Sequence, residues 1–353
     1  MNPSEVENQA ATPSSVRRWI WPVLKWSLFA LVLAFVVRRC IDLWQQDGVT
    51  LSEVRWDFKW LMLSGCAYAV GWLPSVWFWR KMMQRLGGRV SFASAARGYY
   101  CGHLGKYVPG KAGAVVIRAA LVKDRGSGAA AAGLAAAYET LVMMAAGAAV
   151  ATLLSPLLLA EAQPETWPNW ICWIAVNPLY SALINSQILA AVVVVVVTGL
   201  GLPVISRLLN RVAVLMLQKS SDFKTQESLS IDKGLLAAGL AAFVVGWAIH
   251  GLSLGLTIRA VSGEPLNLSE WPIWMGAVSG ATVIGFVVLF APGGIGPREG
   301  VLIEVLRLQP SINAQTAVAA AIFLRAVWFL TEILVAAILY YTVRHRTPDA
   351  GPH

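Results

Sequence analysis

Charge is what this chain has least of: Asp, Glu, Lys and Arg make up 13% of its 353 residues against 57% hydrophobic residues, and the mean hydropathy is +0.61. A soluble domain carries about 25% charged residues, so this composition excludes a water-soluble globule and indicates a polytopic membrane protein. Cysteine is scarce as well. Cys40, Cys66, Cys101 and Cys172 are widely separated and form no C-x-x-C, which argues against a disulfide framework or a thiolate metal site. They read as small packing residues in or near apolar segments. Only four histidines are present, two of them the near-terminal His345 and His353, so no metal site is expected. There is no G-x-x-x-x-G-K-[ST] loop, no H-E-x-x-H, no G-x-S-x-G and no Rossmann glycine pattern. These absences argue against an enzyme, and neither a catalytic residue nor a cofactor is expected.

Long apolar runs are abundant instead. Stretches near the roughly 20 residues that a spanning helix needs run Trp19 to Val37, Trp60 to Trp79, Ala129 to Leu159, Ala182 to Ile205, Leu235 to Ile258, Ile273 to Ala291 and Ala314 to Val343. Two weaker stretches, Phe92 to Val122 and Trp167 to Tyr180, are candidates for a further crossing or for re-entrant hairpins. The fold class that follows is an all-α polytopic membrane protein with about seven to eight transmembrane helices and two re-entrant or broken-helix segments. Residues 19–346 form a single helical domain, flanked by tails, 1–18 and 347–353, that have little to bury and are expected to be disordered. Arg17 and Arg18 precede the first run, and no A-x-A-like site follows it, which reads as an uncleaved anchor.

The net charge of +9 is uneven. Arg80, Lys81, Arg85, Arg89, Arg97, Lys106, Lys111, Arg118, Lys123 and Arg125 stand against the single acid Asp124, so the positive-inside rule makes that connection cytoplasmic. The segment from Ala160 to Ser181 holds Glu161 and Glu165 without a Lys or Arg, and the basic residues Arg207, Arg211, Lys219, Lys224 and Lys233 return the chain inside. The N-terminus is thereby placed in the cytoplasm. Seven crossings would put the C-terminus outside, against the preference of Arg344 and Arg346, and an eighth crossing resolves the conflict. Trp19, Trp21, Trp56, Trp60, Trp77, Trp79, Trp167, Trp170, Trp173, Trp271 and Trp274 cluster at helix ends and read as an aromatic belt.

Two interruptions punctuate the apolar pattern: Pro109-Gly110-Lys111-Ala112-Gly113 and Pro292-Gly293-Gly294-Ile295-Gly296, each reading P-G-x-x-G. Arg118 follows the first, and Arg298 and Glu299 the second. A bilayer offers no water to freed backbone groups, so breaks at membrane depth persist only where protein or a wet cavity re-satisfies them. Amides at the mouth of a half-helix beside a cation suit an anion such as a phosphate. The plain alternative is a pair of ordinary turns. Glu139, His250, Arg325 and Glu332 lie inside apolar runs, where an ionisable group marks a polar pathway or a buried pair. Arg325 and Glu332, two turns apart, share one face of the last helix. Arg325 reads as a phosphate clamp or as an ion pair with Glu139 or Glu332; Arg118 could also snorkel at a helix end. His250 reads as a packed or hydrogen-bonded histidine rather than a proton relay. Four crossings between the two motifs return both to one side, so an inverted repeat requires a further crossing between them.

In order, Gly105 to Lys111 with Arg118, then Glu139, then Pro292-Gly293-Gly294-Ile295-Gly296-Pro297-Arg298-Glu299-Gly300, then Arg325 resemble the membrane domain of lysylphosphatidylglycerol synthase/flippase proteins. The similarity covers nearly the whole chain, and P-G-G-x-G-x-R-E is its specific part. The resemblance implies a flippase-like domain that moves a lipid between leaflets of the cell inner membrane. The soluble aminoacyltransferase domain of that family is missing here, so aminoacyl transfer is not implied.

The expected site binds a phosphate-bearing lipid head group. Arg118, Arg298 and Arg325 would neutralise the phosphate, and the amides of Gly110, Gly113, Gly293, Gly294 and Gly296, at breaks made by Pro109 and Pro292, would cradle it. Glu139 and Glu299 would hold the arginines or contact a cationic head group. The expected partners are membrane lipids: an anionic or aminoacylated phospholipid, or a polyprenyl phosphate. Nucleic acid is not among them. An alternative is a membrane subunit that presents such a lipid to a separate transferase.

Overall fold

The computed structural model describes residues 56–107, 113–123, 128–159, 232–288 and 291–343, part of a preceding helix, chiefly 33–42, and isolated positions between 186 and 211. Pro109, Gly110, the expected disordered tails, the stretch Trp167 to Tyr180 and most of Trp19 to Val37 and Ala182 to Ile205 lie outside the described residues. All regular structure among the described residues is helical: α1 Phe58–Gly71, α2 Leu73–Arg85, α3 Phe92–His103, a 3-10 turn Leu104–Tyr107, α4 Gly113–Lys123, α5 Ala129–Leu159, α6 Lys233–Ser262, α7 Trp271–Val287, a 3-10 turn Pro292–Gly294, α8 Pro297–Arg307 and α9 Ala314–Thr342.

The helices start where the sequence supplies oxygen caps for free amides. Asp57 accepts from the Lys59 amide at 2.9 Å, Asp232 from Gly234 at 3.1 Å and Asn313 from Thr316 at 2.7 Å. Gly263, in the left-handed region at φ 77°, closes α6. Helix α1 runs into α2 past Trp72 with Pro74 in the first turn of α2, where a missing amide hydrogen costs nothing.

Among the described residues, four segments are long and apolar enough to cross a membrane: Phe58–Arg85, Ala129–Leu158, Lys233–Ser262 and Ala314–Thr342. The expected crossing from Ile273 to Ala291 is shorter in the structure, a 17-residue α7 ending at Val287. The weak stretch Phe92 to Val122 is a broken pair, α3 and α4, of 12 and 11 residues. The tryptophan belt needs correction too. Trp79 and Trp274 are 0% and 2% exposed and belong to the core with Tyr68, Phe78, Met82 and Phe243. Trp56 and Trp271 remain exposed. Cys66 is exposed as well, rather than packed.

The order of elements repeats. A long helical stretch (α1–α2), a broken pair (α3, α4) and a long helix (α5) are followed by a long helix (α6), a broken pair (α7, α8) and a long helix (α9). Contacts obey the same exchange: α3 packs on α9 as α7 packs on α5, α1 on α9 as α6 on α5, and α4 on α5 as α8 on α9. At the α1–α6 contact the hydrogen bonds are reciprocal. The Ser64 hydroxyl donates to the Ser253 carbonyl at 2.8 Å and the Ser253 hydroxyl to the Ser64 carbonyl at 2.9 Å. A residue pair that contacts itself in both directions is the mark of a two-fold relation.

The tightest backbone approach lies at the first break. A Cβ on Gly105 would come within 2.5 Å of the Ala114 nitrogen and the Gly113 carbonyl carbon, and backbone cannot yield as a side chain can. Gly105→Ala should therefore lower the thermal unfolding midpoint in detergent, costing about 1–3 kcal/mol. Gly128→Ala, whose Cβ meets nothing within 4 Å, should leave it in place.

Candidate functional site

The two breaks meet. Behind α3 the chain tightens into the turn Leu104–Tyr107, and behind α7 into Pro292–Gly294, with Gly293, Gly294 and Gly296 at φ 60°, 71° and 94°. Such values favour glycine because a Cβ clashes there. The Tyr107 ring and the Arg325 guanidinium both press on Gly293, so a Cβ there would lie 3.3 Å from Tyr107 Cδ1 and 3.2 Å from Arg325 Nη2. A cavity of about 190 Å³ opens beside this junction, bordered by Lys106, Arg118, Glu139, Gly293, Gly294 and Arg298 together with aromatic and methionine side chains.

Among the described residues three carboxylates stand at the junction, each paired with a cation from another element. Glu139 Oε2 accepts from Arg118 Nη1 at 2.8 Å, and its Oε1 accepts from the Tyr99 hydroxyl at 2.9 Å. Glu299 Oε1 lies 3.6 Å from Arg325 Nε, while its Oε2 accepts the Gly296 amide at 2.8 Å and so caps α8. Glu332 is the most crowded. It accepts from Lys106 Nζ at 2.5 Å, from the Tyr107 hydroxyl at 3.0 Å and from the Tyr68 hydroxyl, with His103 Nε2 at 3.6 Å.

Arg298 differs. Its guanidinium stacks 4.2 Å over the Trp328 ring, and it has no ion pair among the described residues although it is only 9% exposed. Trp328 is itself fixed, by donating its indole hydrogen to the Ser253 hydroxyl at 2.9 Å and stacking on Tyr68 at 4.2 Å. Five cavity-lining side chains, Trp72, His103, Arg118, His250 and Thr282, each carry a buried nitrogen or oxygen without a hydrogen-bond partner. Unmet buried donors in a cavity wall call for a ligand or water. Trp72 Nε1 and Arg118 Nε can act only as donors.

The residues expected from sequence are thus partly gathered. Arg118, Glu139, Gly293, Gly294 and Arg298 border the cavity; Arg325 and Glu299 stand behind Gly293, where Arg325 Nη2 also donates to the Gly293 carbonyl at 3.3 Å. Arg118 does not snorkel, being 5% exposed and paired. Arg325 pairs with Glu299 rather than with Glu139 or Glu332. The amide cradle is incomplete, because the Gly294 amide donates to the Ala291 carbonyl at 3.1 Å and that of Gly296 to Glu299. Gly113 starts α4, and Pro292 opens the second turn. His250 is packed among Tyr68, Trp72, Trp247 and Trp328, with no hydrogen bond at Nε2. Sequence reasoning did not assign Lys106, His103, Tyr107 or Tyr68 to the site. Glu332 was visible as a charge in an apolar run; the aromatics gave no signal.

These features define the class: a multi-pass, all-helical membrane protein with a largely apolar cavity, reached by buried charged side chains, between two broken helices. The family described as the lysylphosphatidylglycerol synthase TM region matches residues 22–336, and the chain belongs to that family. No curated protein gives a significant match.

The pair in the cavity wall can be tested for stability. Arg118→Met should strand the buried Glu139 carboxylate and cost about 3–5 kcal/mol of unfolding free energy. Adding Glu139→Gln, which keeps an acceptor for Tyr99, should recover most of that loss in equilibrium unfolding in mixed micelles.

Proposed function

We propose that this protein binds the phosphate-bearing head group of a membrane lipid in the cavity between its broken helices and carries it between leaflets while the acyl chains stay in the bilayer. It sits in the cell inner membrane with its N-terminus in the cytoplasm, as its basic connections favour, and crosses about seven to eight times. It acts without catalytic chemistry.

The observation that carries this reading is the unpaired Arg298 guanidinium at a cavity whose wall also holds unsatisfied donors. A buried cation without a counter-ion is costly in an apolar surrounding, and a phosphate oxygen pair matches the planar fork of arginine. Met143, Met144, Val115 and Phe286 give the same cavity an apolar side, which suits the glycerol and ester portion of an amphiphile. The left-handed glycines of the second break let the backbone pass close to the cavity without a Cβ in the way. The chain holds no nucleotide-binding motif, so the driving force comes from the lipid gradient, an ion gradient or a partner protein.

Leaflet exchange of a fluorescent anionic phospholipid by the purified chain in proteoliposomes tests the reading. Arg298→Ala should slow exchange by about tenfold or more, the scale expected for losing a desolvated charged contact, with Arg325→Ala and Glu299→Ala slowing it through the displaced Gly293 turn. Undiminished exchange in Arg298→Ala would remove the site. Lipid binding without any exchange would assign the chain to lipid presentation for a separate transferase.

A further inference from the structure

A carboxylate and the face of an aromatic ring are the strongest recognition elements for an ammonium group. Around this cavity the chain's own groups hold each described carboxylate and several of the aromatic faces. Glu139 is held by Arg118, Glu332 by Lys106 and Glu299 by Arg325. The Trp328 face carries Arg298 at 4.2 Å, the Tyr99 face Arg118 at 3.8 Å and the Tyr107 face Lys106 at 5.1 Å. Trp72 is flanked by His103 at 4.3 Å and His250 at 4.9 Å. Among the described residues, a lipid ammonium entering the cavity would meet guanidinium and lysine nitrogens and no free carboxylate.

The charge balance points the same way. Among the described residues, four cations, Lys106, Arg118, Arg298 and Arg325, stand against three carboxylates, and the uncompensated positive charge is on Arg298. One negative charge neutralises it. A second would require an existing pair to break, at the cost of a stranded buried carboxylate. The unsatisfied Trp72 Nε1 and Arg118 Nε can only donate, and a phosphodiester offers only acceptors.

We infer that the site takes a singly charged phosphodiester head group lacking an ammonium group, and that it discriminates against aminoacylated, ethanolamine-type and doubly charged phosphate lipids. This rests on the head-group-binding reading above. Discrimination here is repulsive as much as attractive, because the wrong head group leaves an unpaired charge in a low-dielectric site.

Native mass spectrometry of the full chain, offered equimolar phosphatidylglycerol, phosphatidylethanolamine, lysyl-phosphatidylglycerol and phosphatidic acid, reads this directly. Phosphatidylglycerol should be retained about tenfold or more over each of the others. Its preference over the two ammonium-bearing lipids should be largely lost in Arg298→Gln and return in Arg298→Lys. Excess water-soluble glycerophosphoglycerol separates a membrane-delivered head group from a free phosphodiester: bound lipid that persists supports the lipid, and displacement by the soluble compound would overturn it. Equal retention of all four lipids, or tighter retention of lysyl-phosphatidylglycerol, would overturn the selectivity while head-group binding stands. The predicted order without leaflet exchange would uphold the selectivity and overturn transport alone, whereas retention of no phospholipid would overturn both.

Discussion

The junction of the two broken helices depends on cross-element pairing of buried charge. Each carboxylate there takes its cation from a different segment: Glu139 on α5 from Arg118 on α4, Glu299 on α8 from Arg325 on α9, and Glu332 on α9 from Lys106 in the first turn. A buried pair contributes little net stability, yet separating its partners is expensive. The pairs therefore fix which segments lie together more than they hold the molecule up. Helix α9 illustrates this, since Arg325 grips the second break and Glu332 the first.

Those grips explain why an interrupted backbone is tolerated. The left-handed glycines of the second turn have little local reason to adopt one conformation, but the Gly293 carbonyl is held by Arg325 and the Gly296 amide by Glu299. Backbone groups released by a break in an apolar setting need such internal partners. The same side chains that satisfy the backbone also shape the cavity, so the structural and functional demands on them coincide. Among the described cations of the junction, Arg298 is the one held by an aromatic face instead of a carboxylate, which leaves its charge available.

Much of this was legible in the sequence because charge stands out in an apolar chain. Glu139, Arg325 and Glu332 were visible for that reason, and the P-G-x-x-G at Pro292 located the second break, while of the first copy only Gly113, at the start of α4, lies among the described residues. Pairing was less legible. Arg325 and Glu332 share a helix face, yet they reach different partners because the turns they contact arrive from distant parts of the chain. Nor does apolar content separate a tryptophan at a membrane interface from one in the core, and Trp79 and Trp274 are core residues. Tyr68 and Tyr107 gave no warning of a polar role, because a phenol declares itself only when its hydroxyl finds a carboxylate.

The mutual clasp of Ser64 and Ser253 constrains how the two halves can move. Sliding one half along the other by a helical turn, about 5.4 Å, would sever both hydroxyl-to-carbonyl bonds together. Tilting about the clasp would keep them. A fulcrum between α1 and α6 would leave that crossing point intact while the helices around it change their tilt.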